Sequence, residues 1–360
     1  FPTARIFAWY DKKGRDLPWR RRWPELAPAY HVWLSEIMLQ QTVVATVIPY
    51  FLDFIRRWPN VNALAAAPLD DVLAAWAGLG YYARARNLHK TAAIVAEQWG
   101  GEFNCRYGVT TFNDNDWPRH FLSLPGVGPY TAGAISAIAF GKQAVVVDGN
   151  IERLFSRYFG IETPLPAAKT EIAVAYQSLL PVGRPSDFPQ ALMDFSNAVC
   201  TPKRPGCKEC CLARSCVALA KGVAEKLPTK PLKRKKPLRR AIVFVAINRH
   251  DEVFLHRRPE KGLLGGMLGF PEIGLSTKTV EPSLNQKMAP FSAKWRLLDE
   301  PIGHVFTHFA LEARIYLAHL DGRPDATNVI GQWQKPRPSD LPSLMQKIWM
   351  AARSERLRGD

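Results

Sequence analysis

The sequence predicts a chain of two parts, an all-α domain followed by a smaller α+β domain. Two features of the sequence, the period of its apolar residues and the composition of the stretch between the two parts, support this fold class. Apolar residues recur with a helical period up to residue 226, and the period falls to two after residue 239. Between them lies a Pro- and Lys-rich stretch, residues 227–238, whose composition is typical of an extended linker. A chain of 360 residues is long enough for two such domains.

The first domain, residues 1–226, is predicted to consist of short helices. Apolar residues repeat at positions i, i+3, i+4 and i+7, and Gly and Pro residues interrupt the pattern. The clearest helical segments are 43–58, 70–78, 83–98 and 131–140. Many short helices joined by tight connections are typical of an all-α domain.

The second domain, residues 239–360, is predicted to mix strands and helix. The period of the sequence pattern changes to two after residue 239, and three segments there are typical of strands. The predicted strands are 241–247, 252–257 and 311–320. An amphipathic helix is predicted near the end of the chain, over residues 342–356.

The charge balance favours a polyanionic partner. The chain carries 48 Lys and Arg against 32 Asp and Glu, a net charge of +16. Such a surface attracts nucleic acid, although a merely solvated basic surface has the same composition. The apolar content argues against general disorder, and no apolar run is long enough to cross a bilayer or to act as a signal peptide. We therefore expect a bacterial cytoplasmic, nucleoid-associated protein with no membrane partner.

The strongest chemical signal is a cluster of cysteines near the end of the first domain. Four thiolates in one compact loop can hold a tetrahedral zinc ion or an iron–sulfur cluster, and the spacing does not choose between them. Lys203 and Arg204 lie between these ligands and could clamp a phosphate, although the metal could also serve only to pin the loop. The predicted ligands, in the pattern C-x6-C-x2-C-x5-C, are Cys200, Cys207, Cys210 and Cys216.

Two turns before predicted helices carry groups that suit a nucleic acid. In the segment LPGVGPYTAG, residues Gly126, Val127 and Gly128 present backbone N–H groups at a helix start, which suits a phosphate. The alternative is that this segment is an ordinary turn between two helices. In VVVDGN, Asp148 follows an apolar run, and a simple N-cap is the favoured interpretation of that residue alone.

Glu36, in the segment WLSEIMLQQT, is a candidate general acid. Its neighbours at helical spacing, among them Val32, Trp33 and Leu39, are mostly apolar. Desolvation on such a face would raise the pKa of the carboxyl group towards the range of a general acid. The alternative is a partly exposed glutamate paired with an arginine.

The segment GLGYYARARNL, residues 78–88, combines a glycine turn with aromatic and basic residues. The tyrosines could wedge between bases while the arginines hold phosphates. The alternative is a tyrosine pair in the core with arginines on the surface.

Together these motifs resemble the MutY-type adenine DNA glycosylases of the helix-hairpin-helix superfamily. The resemblance covers nearly all of residues 1–226 through LSEIMLQQT, GLGYYARARNL, LPGVGPYTAG, VDGN and the cysteine spacing. Such enzymes flip adenine out of the duplex and remove it where it is mispaired with 8-oxoguanine or guanine. The resemblance implies this activity, double-stranded DNA with such a mispair as partner, and a monomer that clamps the DNA.

The resemblance also assigns roles to individual residues. Glu36 matches the acid that protonates adenine, and Asp148 matches the carboxylate that stabilises the oxocarbenium-like sugar. Tyr130 and Asn150 match residues that position the base and the sugar. The four cysteines match the ligands of a [4Fe–4S] cluster.

Contacts to DNA are implied by the same motifs. Gln41 and Tyr81 match residues that insert into the base stack around 8-oxoguanine. Further DNA contacts are expected from Gln40, Thr42, Leu79, Arg84, Arg86, Gly126, Val127, Gly128, Lys203 and Arg204.

One position separates branches of the superfamily. Lyases that resemble endonuclease III carry a lysine for Schiff-base chemistry where this chain has Tyr130. The tyrosine therefore predicts base removal without efficient strand cleavage. Thymine-mismatch glycosylases also carry tyrosine there, but they lack an appended domain like residues 239–360.

The second domain resembles the Nudix-like C-terminal domain of the same family. Gly266 and Glu272 fit the start of the Nudix motif G-x5-E-x7-R-E-x-x-E-E. Val280, Leu284 and Asn285 replace one arginine and two glutamates that a magnesium-binding hydrolase needs. The domain is therefore predicted to recognise a base rather than hydrolyse a nucleotide.

The predicted recognition loop is Phe306, Thr307 and His308, which aligns with the Phe-Ser-His loop that senses 8-oxoguanine in the family. Threonine keeps the hydroxyl group of the family serine. The alternative for residues 304–309 is an ordinary strand with alternating apolar residues. The chain departs from the family at Cys211, where proline is usual, and in a longer connector over residues 104–120.

Overall fold

The computed structural model describes eight stretches of the chain. They are residues 1–103, 117–229, 236–259, 262–275, 289–306, 308–327, 329–338 and 341–359. The chain divides into two compact units, Phe1–Leu232 and Lys233–Asp360, and each is described by itself. In these stretches, no helix has both the length and the apolar composition needed to cross a bilayer.

The first unit is helical, which confirms the predicted all-α fold. Its helices are α1 (Thr3–Lys13), α2 (Ala29–Leu39), α3 (Val44–Arg57), α4 (Val61–Ala66), α5 (Leu69–Ala75), α6 (Ala83–Gln98), α7 (Trp117–Phe121), α8 (Pro129–Phe140), α9 (Gly149–Phe159), α10 (Lys169–Gln177), α11 (Asp187–Ala198) and α12 (Val217–Ala220). Two short 3-10 turns, Cys207–Glu209 and Ala213–Ser215, lie in the cysteine loop.

Helices α2 and α8 form the centre of this unit. Nearly every residue of both helices is buried, because apolar or small side chains occupy all their faces. Small residues let the backbone of α8 approach its neighbours closely. A Cβ atom at Gly133 would lie 2.3 Å from the carbonyl oxygen of Val145, so only glycine fits there. This central pair fixes the positions of the side chains that α2 and the start of α8 carry.

Helix α9 begins and ends with standard capping residues. Asp148 is its N-cap and accepts hydrogen bonds from the backbone N–H groups of Asn150 and Ile151. Gly160 follows its last turn with a positive φ of 69°, a left-handed conformation that favours glycine. The cap interpretation of Asp148 is thus confirmed, and it places this carboxylate at the start of a buried helix.

The second unit is a mixed sheet with one long helix, which confirms the predicted α+β fold. Its elements are β1 (Leu238–Asn248), β2 (Val253–Arg257), β3 (Leu268–Gly269), β4 (Glu272–Ile273), β5 (Arg296–Leu297), β6 (Ile302–Val305), β7 (Ala310–Leu320), β8 (Gln332–Gln334) and α13 (Ser343–Gly359). The main strand order is β3-β2-β1-β7-β5, while β4 pairs with β1, β6 with β7 and β8 with β2.

The centre of the sheet is the parallel pair β1 and β7, in register from Leu238–Ala310 to Asn248–Leu320. Strand β1 is buried on both faces over most of its length. Val243, Val245 and Ile247 belong to the same core as residues of α13. Alternate residues of the strand point to opposite faces, so Phe244 packs in a second apolar cluster on the other side.

Candidate active site

Glu36 is a buried carboxyl group in the last turn of α2, with 6% of its surface exposed. Burial raises its pKa to about 7, because the charged form loses its hydration. A hydrogen bond from Tyr130 and the charge of Arg20 oppose this rise, while the charge of Asp148 adds to it. The apolar helix face in the sequence predicted this desolvation. At neutral pH the group can therefore act as a proton donor.

Tyr130 lies in the first turn of α8 and hydrogen bonds with Glu36. Its hydroxyl oxygen also lies 3.5 Å from the sulfur of Met193 on α11. Burial raises the pKa of the phenol well above its usual value, and the nearby carboxylates raise it further. The phenol is therefore a neutral hydrogen-bond donor in the physiological range.

Asp148 serves as a helix cap and as a second carboxylate of the site. Its oxygens accept hydrogen bonds from the backbone N–H groups of Asn150 at 3.0 Å and Ile151 at 2.8 Å. The side-chain amide of Asn150 donates a third, at 2.6 Å. Burial raises the pKa of Asp148, whereas these three donors lower it because they favour the charged form. The two carboxyl groups thus have different surroundings.

Arg20 belongs to the site, although none of the sequence motifs assigned it there. Its side chain is 9% exposed and forms an ion pair of 2.7 Å with Asp194 on α11. Arg15 makes a second ion pair with the same carboxylate, at 2.6 Å. The charge of Arg20 lowers the pKa of Glu36, so it limits how far burial can neutralise the acid. Only the basic segment RRR before the α2 helix could have drawn attention to it.

Two arginines of α9 connect the Asp148 end of the helix to the cysteine loop. Arg153 donates to the side-chain oxygen of Asn150 at 3.1 Å and to the carbonyl of Cys200 at 2.7 Å. Arg157, one turn later, donates to the carbonyl of Thr201 at 2.7 Å and to the sulfur of Cys200 at 3.3 Å. Only 2% of Arg157 is exposed. The loop is therefore fixed to the same helix that carries Asp148.

The four predicted ligand cysteines line one pocket. Its wall also includes Leu154, Arg157, Tyr158 and Leu212. All four thiols are free of disulfides. In the part of the chain that the structure describes, no three His, Cys, Asp or Glu side chains come close enough to share a single metal ion. Cys211 is not among the lining residues, and its sulfur lies 3.9 Å from the carbonyl oxygen of Arg5.

Nine of the twelve residues expected to contact DNA are at least partly exposed. Those on the surface are Gln41, Tyr81, Gly126, Lys203 and Arg204, and those partly exposed are Gln40, Thr42, Arg86 and Gly128. Tyr81 is 57% exposed. These positions remain candidates for contact with a ligand.

Three of the expected contacts are buried instead. Leu79 is 5%, Val127 7% and Arg84 8% exposed, and the first two belong to the main apolar core. Both terminal nitrogens of Arg84 donate to oxygens within the protein. The prediction that Arg84 holds a phosphate is therefore wrong. The alternative of buried tyrosines and surface arginines is wrong as well, because Tyr81 is exposed and Arg84 is buried.

In the second unit, one carboxylate of the Nudix motif, that of Glu272, already has partners within the protein. Arg258 forms an ion pair of 2.6 Å with Glu272, and both side chains are largely buried. The backbone N–H of Leu275 donates to the other carboxylate oxygen at 3.0 Å. Val280, Leu284 and Asn285 lie outside the described residues.

The predicted recognition loop follows β6, which ends at Val305. The backbone N–H of Phe306 donates to the carbonyl of Phe309 at 2.8 Å, so the chain turns here. The strand alternative for residues 304–309 is therefore wrong at Phe306, His308 and Phe309. His308 is exposed, and Thr307 lies outside the described residues. The Lys236 ammonium donates to the carbonyl of Phe306 at 2.6 Å, which ties the turn to the start of β1.

Comparisons with known proteins cover both units. Residues 34–177 match the family described as HhH-GPD superfamily base excision DNA repair protein, and residues 242–351 match the NUDIX domain. The chain is 35% identical to an adenine DNA glycosylase of Buchnera aphidicola subsp. Schizaphis graminum, over 95% of this chain and 96% of that protein. It is 33% identical to the adenine DNA glycosylase of Homo sapiens, over 90% of this chain and 68% of that protein.

The fold of the first unit is also found in a solved structure. The structure of a thermostable thymine-DNA glycosylase superposes with a TM-score of 0.51 and 28% sequence identity. The superposition covers 61% of this chain and 95% of the thymine-DNA glycosylase chain.

Removal of the Tyr130 hydroxyl should raise the pKa of Glu36 above about 7, because Tyr130→Phe removes a hydrogen bond that favours the carboxylate. Carbon-13 NMR titration of the glutamate carboxyl groups would measure the change. Tyr158→Phe is the matched control, since that hydroxyl bonds to Ser215 at 3.0 Å. An unchanged or lowered pKa in Tyr130→Phe would contradict the geometry described here.

Proposed function

This chain belongs to the adenine DNA glycosylase family, and we propose that it removes adenine mispaired with 8-oxoguanine or guanine from double-stranded DNA. The resemblance seen in the sequence motifs is confirmed by relatives that align along nearly the whole chain. The observation that carries the proposal is the pairing of Glu36, whose pKa is about 7, with Asp148, whose charged form has three hydrogen-bond donors.

Two carboxyl groups with different surroundings suit the cleavage of a glycosidic bond. In the proposed reaction the flipped adenine accepts the proton of Glu36 on a ring nitrogen. The bond between base and sugar then breaks, and its electron pair leaves with the adenine. Asp148 stabilises the positive charge that develops on the sugar. Water then adds to the anomeric carbon and loses a proton, which leaves an abasic sugar in an unbroken strand.

Tyr130 supports the proposal that the chain does not cleave the strand. A lyase of this superfamily needs an amine that forms a Schiff base with the opened sugar. Here the corresponding side chain is a phenol whose pKa lies well above its usual value, and it donates to Glu36. Its role in the proposal is to orient the acid and to hold down its pKa.

The exposed turns of the first unit supply the proposed DNA contacts. Gln41 and Tyr81 insert into the stack around the base opposite adenine, and the Gly126–Gly128 turn and the cysteine loop bind phosphates. Asn150 helps position the sugar through its link to Asp148. One chain is proposed to bend and hold the duplex as a monomer.

The cysteine pocket supports a [4Fe–4S] cluster held by Cys200, Cys207, Cys210 and Cys216. A single zinc ion needs all four sulfurs about 2.3 Å from one point. Here the four thiols surround a pocket, which suits a larger group with several metal corners. When bound, the cluster pins the loop. Arg153 and Arg157 then hold that loop against α9 and present Lys203 and Arg204 at its surface.

The second unit is proposed to recognise 8-oxoguanine without hydrolysing a nucleotide. The ion pair with Arg258 engages Glu272, which would otherwise be free for a cation. The exposed turn at Phe306 and His308, together with Thr307, is the proposed contact to the modified base.

Single-turnover assays on four duplexes of one sequence test the proposed function: A opposite 8-oxoguanine, A opposite G, A opposite T, and T opposite G. We expect alkali-dependent cleavage that is fastest for the first, slower for the second and absent for the others. Glu36→Gln should lower the rate at least about 10²-fold, because the proton donor is lost. The rate should also fall as the pH rises through about 7, where Glu36 loses its proton.

The control for this variant is Glu97→Gln, an exposed residue of α6. Release of thymine from the T opposite G duplex would instead place the chain with the thymine glycosylases. Tight binding without release of any base would mean that the chain only recognises the lesion.

Iron and acid-labile sulfide analysis tests the proposed cluster. The purified chain should contain about four of each per molecule. Cys210→Ser should lose them, whereas the adjacent Cys211→Ser should keep them, because Cys211 lies outside the pocket. Zinc in place of iron, or equal losses in both variants, would contradict this assignment.

The recognition loop is tested by Thr307→Ala combined with His308→Ala. The preference for 8-oxoguanine over guanine opposite adenine should fall about tenfold, because hydrogen bonds to the modified base are lost. Removal of adenine itself should continue. His250→Ala, another exposed histidine of the second unit, is the control. An unchanged preference would remove the role proposed for this loop.

A further inference from the structure

Two exposed side chains of the first unit sit on a backbone of unusual conformation. Gln41 has φ of 58° and Tyr81 has φ of 48°. L-residues rarely adopt this left-handed region, so both turns need support from their surroundings. These two residues are also the ones proposed to enter the base stack. The protein therefore has to stabilise Gln41 and Tyr81, two strained residues on separate segments of the chain.

One arginine supports both turns. Nη1 of Arg84 donates to the carbonyl of Gln40 and, one turn earlier, to the carbonyls of Ile37 and Met38 at 3.2 and 2.8 Å. Nη2 donates to the hydroxyl of Thr42 at 3.1 Å. Gln40 and Thr42 flank Gln41, so the guanidinium holds this strained residue from both sides.

The same guanidinium also holds the Tyr81 turn. Its Nη2 donates to the carbonyls of Leu79 at 2.9 Å and Gly80 at 3.2 Å, and Gly80 directly precedes Tyr81. Cζ of Arg84 lies 5.6 Å from the centre of the Tyr81 ring and 5.2 Å from that of the Trp76 ring. A single planar group thus joins the two turns.

Helix α6 extends this support to the third DNA-facing turn. Arg84, Asn87 and Thr91 follow each other at spacings of three and four, which places them on one helix face. The hydroxyl of Thr91 donates to the carbonyl of Pro125 at 3.0 Å. A Cβ atom at Gly126 would lie 3.1 Å from the Cβ of Asn87, so the hairpin turn packs directly against the helix. One face of α6 therefore aligns all three turns.

We propose that Arg84 is a positioning residue that fixes the separation of Gln41 and Tyr81, so that both enter the base stack together. This inference rests on the proposed function, in which these two residues open the stack. An arginine suits the role because its planar fork can bond two segments at once, whereas a lysine ammonium cannot span the same acceptors. If Gln41 and Tyr81 are held in place before binding, they lose less conformational entropy when they insert into the base stack.

The geometry separates this role from a phosphate contact. Arg84 is 8% exposed, and its remaining nitrogen, Nε, is buried as well. Its terminal nitrogens therefore donate to carbonyl and hydroxyl oxygens of the protein, and its buried Nε is not available to a phosphate. Arg56 on α3 provides a matched control, because its side chain is 71% exposed and it is not among the residues proposed to contact DNA.

The test uses the full chain with Arg84→Lys, Arg84→Met and the controls Arg56→Lys and Arg56→Met. The probe is a duplex with A opposite 8-oxoguanine and 2-aminopurine next to the 8-oxoguanine, whose fluorescence rises when the stack opens. At saturating protein the Arg84 variants should lose most of the fluorescence rise, while the Arg56 variants keep it. Thermal unfolding measurements check that each variant is folded. If Arg84→Met does not fold, the test is made with Arg84→Lys alone.

Base release gives a second readout. On the fully stacked duplex, the single-turnover rate of the Arg84 variants should fall about 10²-fold, as is usual when a positioning contact is lost. On a duplex whose neighbouring positions are abasic, the stack is already open, and the loss should shrink to about threefold. In a Gln41→Ala, Tyr81→Ala background, Arg84→Met should cost no further rate, because the residues through which it acts are gone.

Two outcomes would overturn the inference. One is a normal fluorescence rise in folded Arg84 variants. The other is a further fall in the rate of base release when Arg84→Met is added to the Gln41→Ala, Tyr81→Ala background. If the unmodified chain opens the stack but releases no adenine, the proposed function fails while the fluorescence readout still decides the role of Arg84.

Discussion

The burial of one carboxyl group, Glu36, is the constraint on which the arrangement of the first unit depends. An isolated charge in a dry interior is costly, so the group shifts its pKa towards neutrality instead of staying fully ionised. The hydrogen bond from Tyr130 and the charge of Arg20 limit that shift. Because these influences oppose each other, the pKa stays near 7, where a group can both hold and release a proton. A paired surface glutamate could not do this.

Helix α9 shows how one residue can satisfy a structural and a chemical requirement together. Asp148 caps the helix, and the N–H groups that need a cap are the same ones that favour its charged form. The helix is in turn fixed to the cysteine loop by Arg153 and Arg157. The position of this carboxylate therefore depends on a loop about fifty residues later in the sequence.

The sequence predicted what depends on local pattern. The helical period predicted α6 and α8 nearly to their ends, and the change of pattern after residue 239 predicted β1 and β7. The apolar neighbours of Glu36 predicted its desolvation. It could not predict the role of an arginine, because composition does not tell whether a guanidinium faces water or backbone carbonyls. Arg84 was expected at a phosphate and is buried, and Arg20 was not expected in the site at all. Both depend on contacts between segments far apart in the chain.

The excess of basic residues therefore serves two physical purposes that the net charge of +16 does not separate. Exposed cations such as Lys203 and Arg204 attract a polyanion at long range, and this attraction weakens as salt screens it. Buried guanidinium groups such as Arg84 and Arg157 act through hydrogen bonds of fixed direction, which salt barely screens. Affinity for a duplex should therefore vary with ionic strength, whereas the geometry of the strained turns and of the cysteine loop should not. The exposed positive charge favours association with a polyanion, and the buried arginines determine the geometry of the turns and of the cysteine loop that contact it.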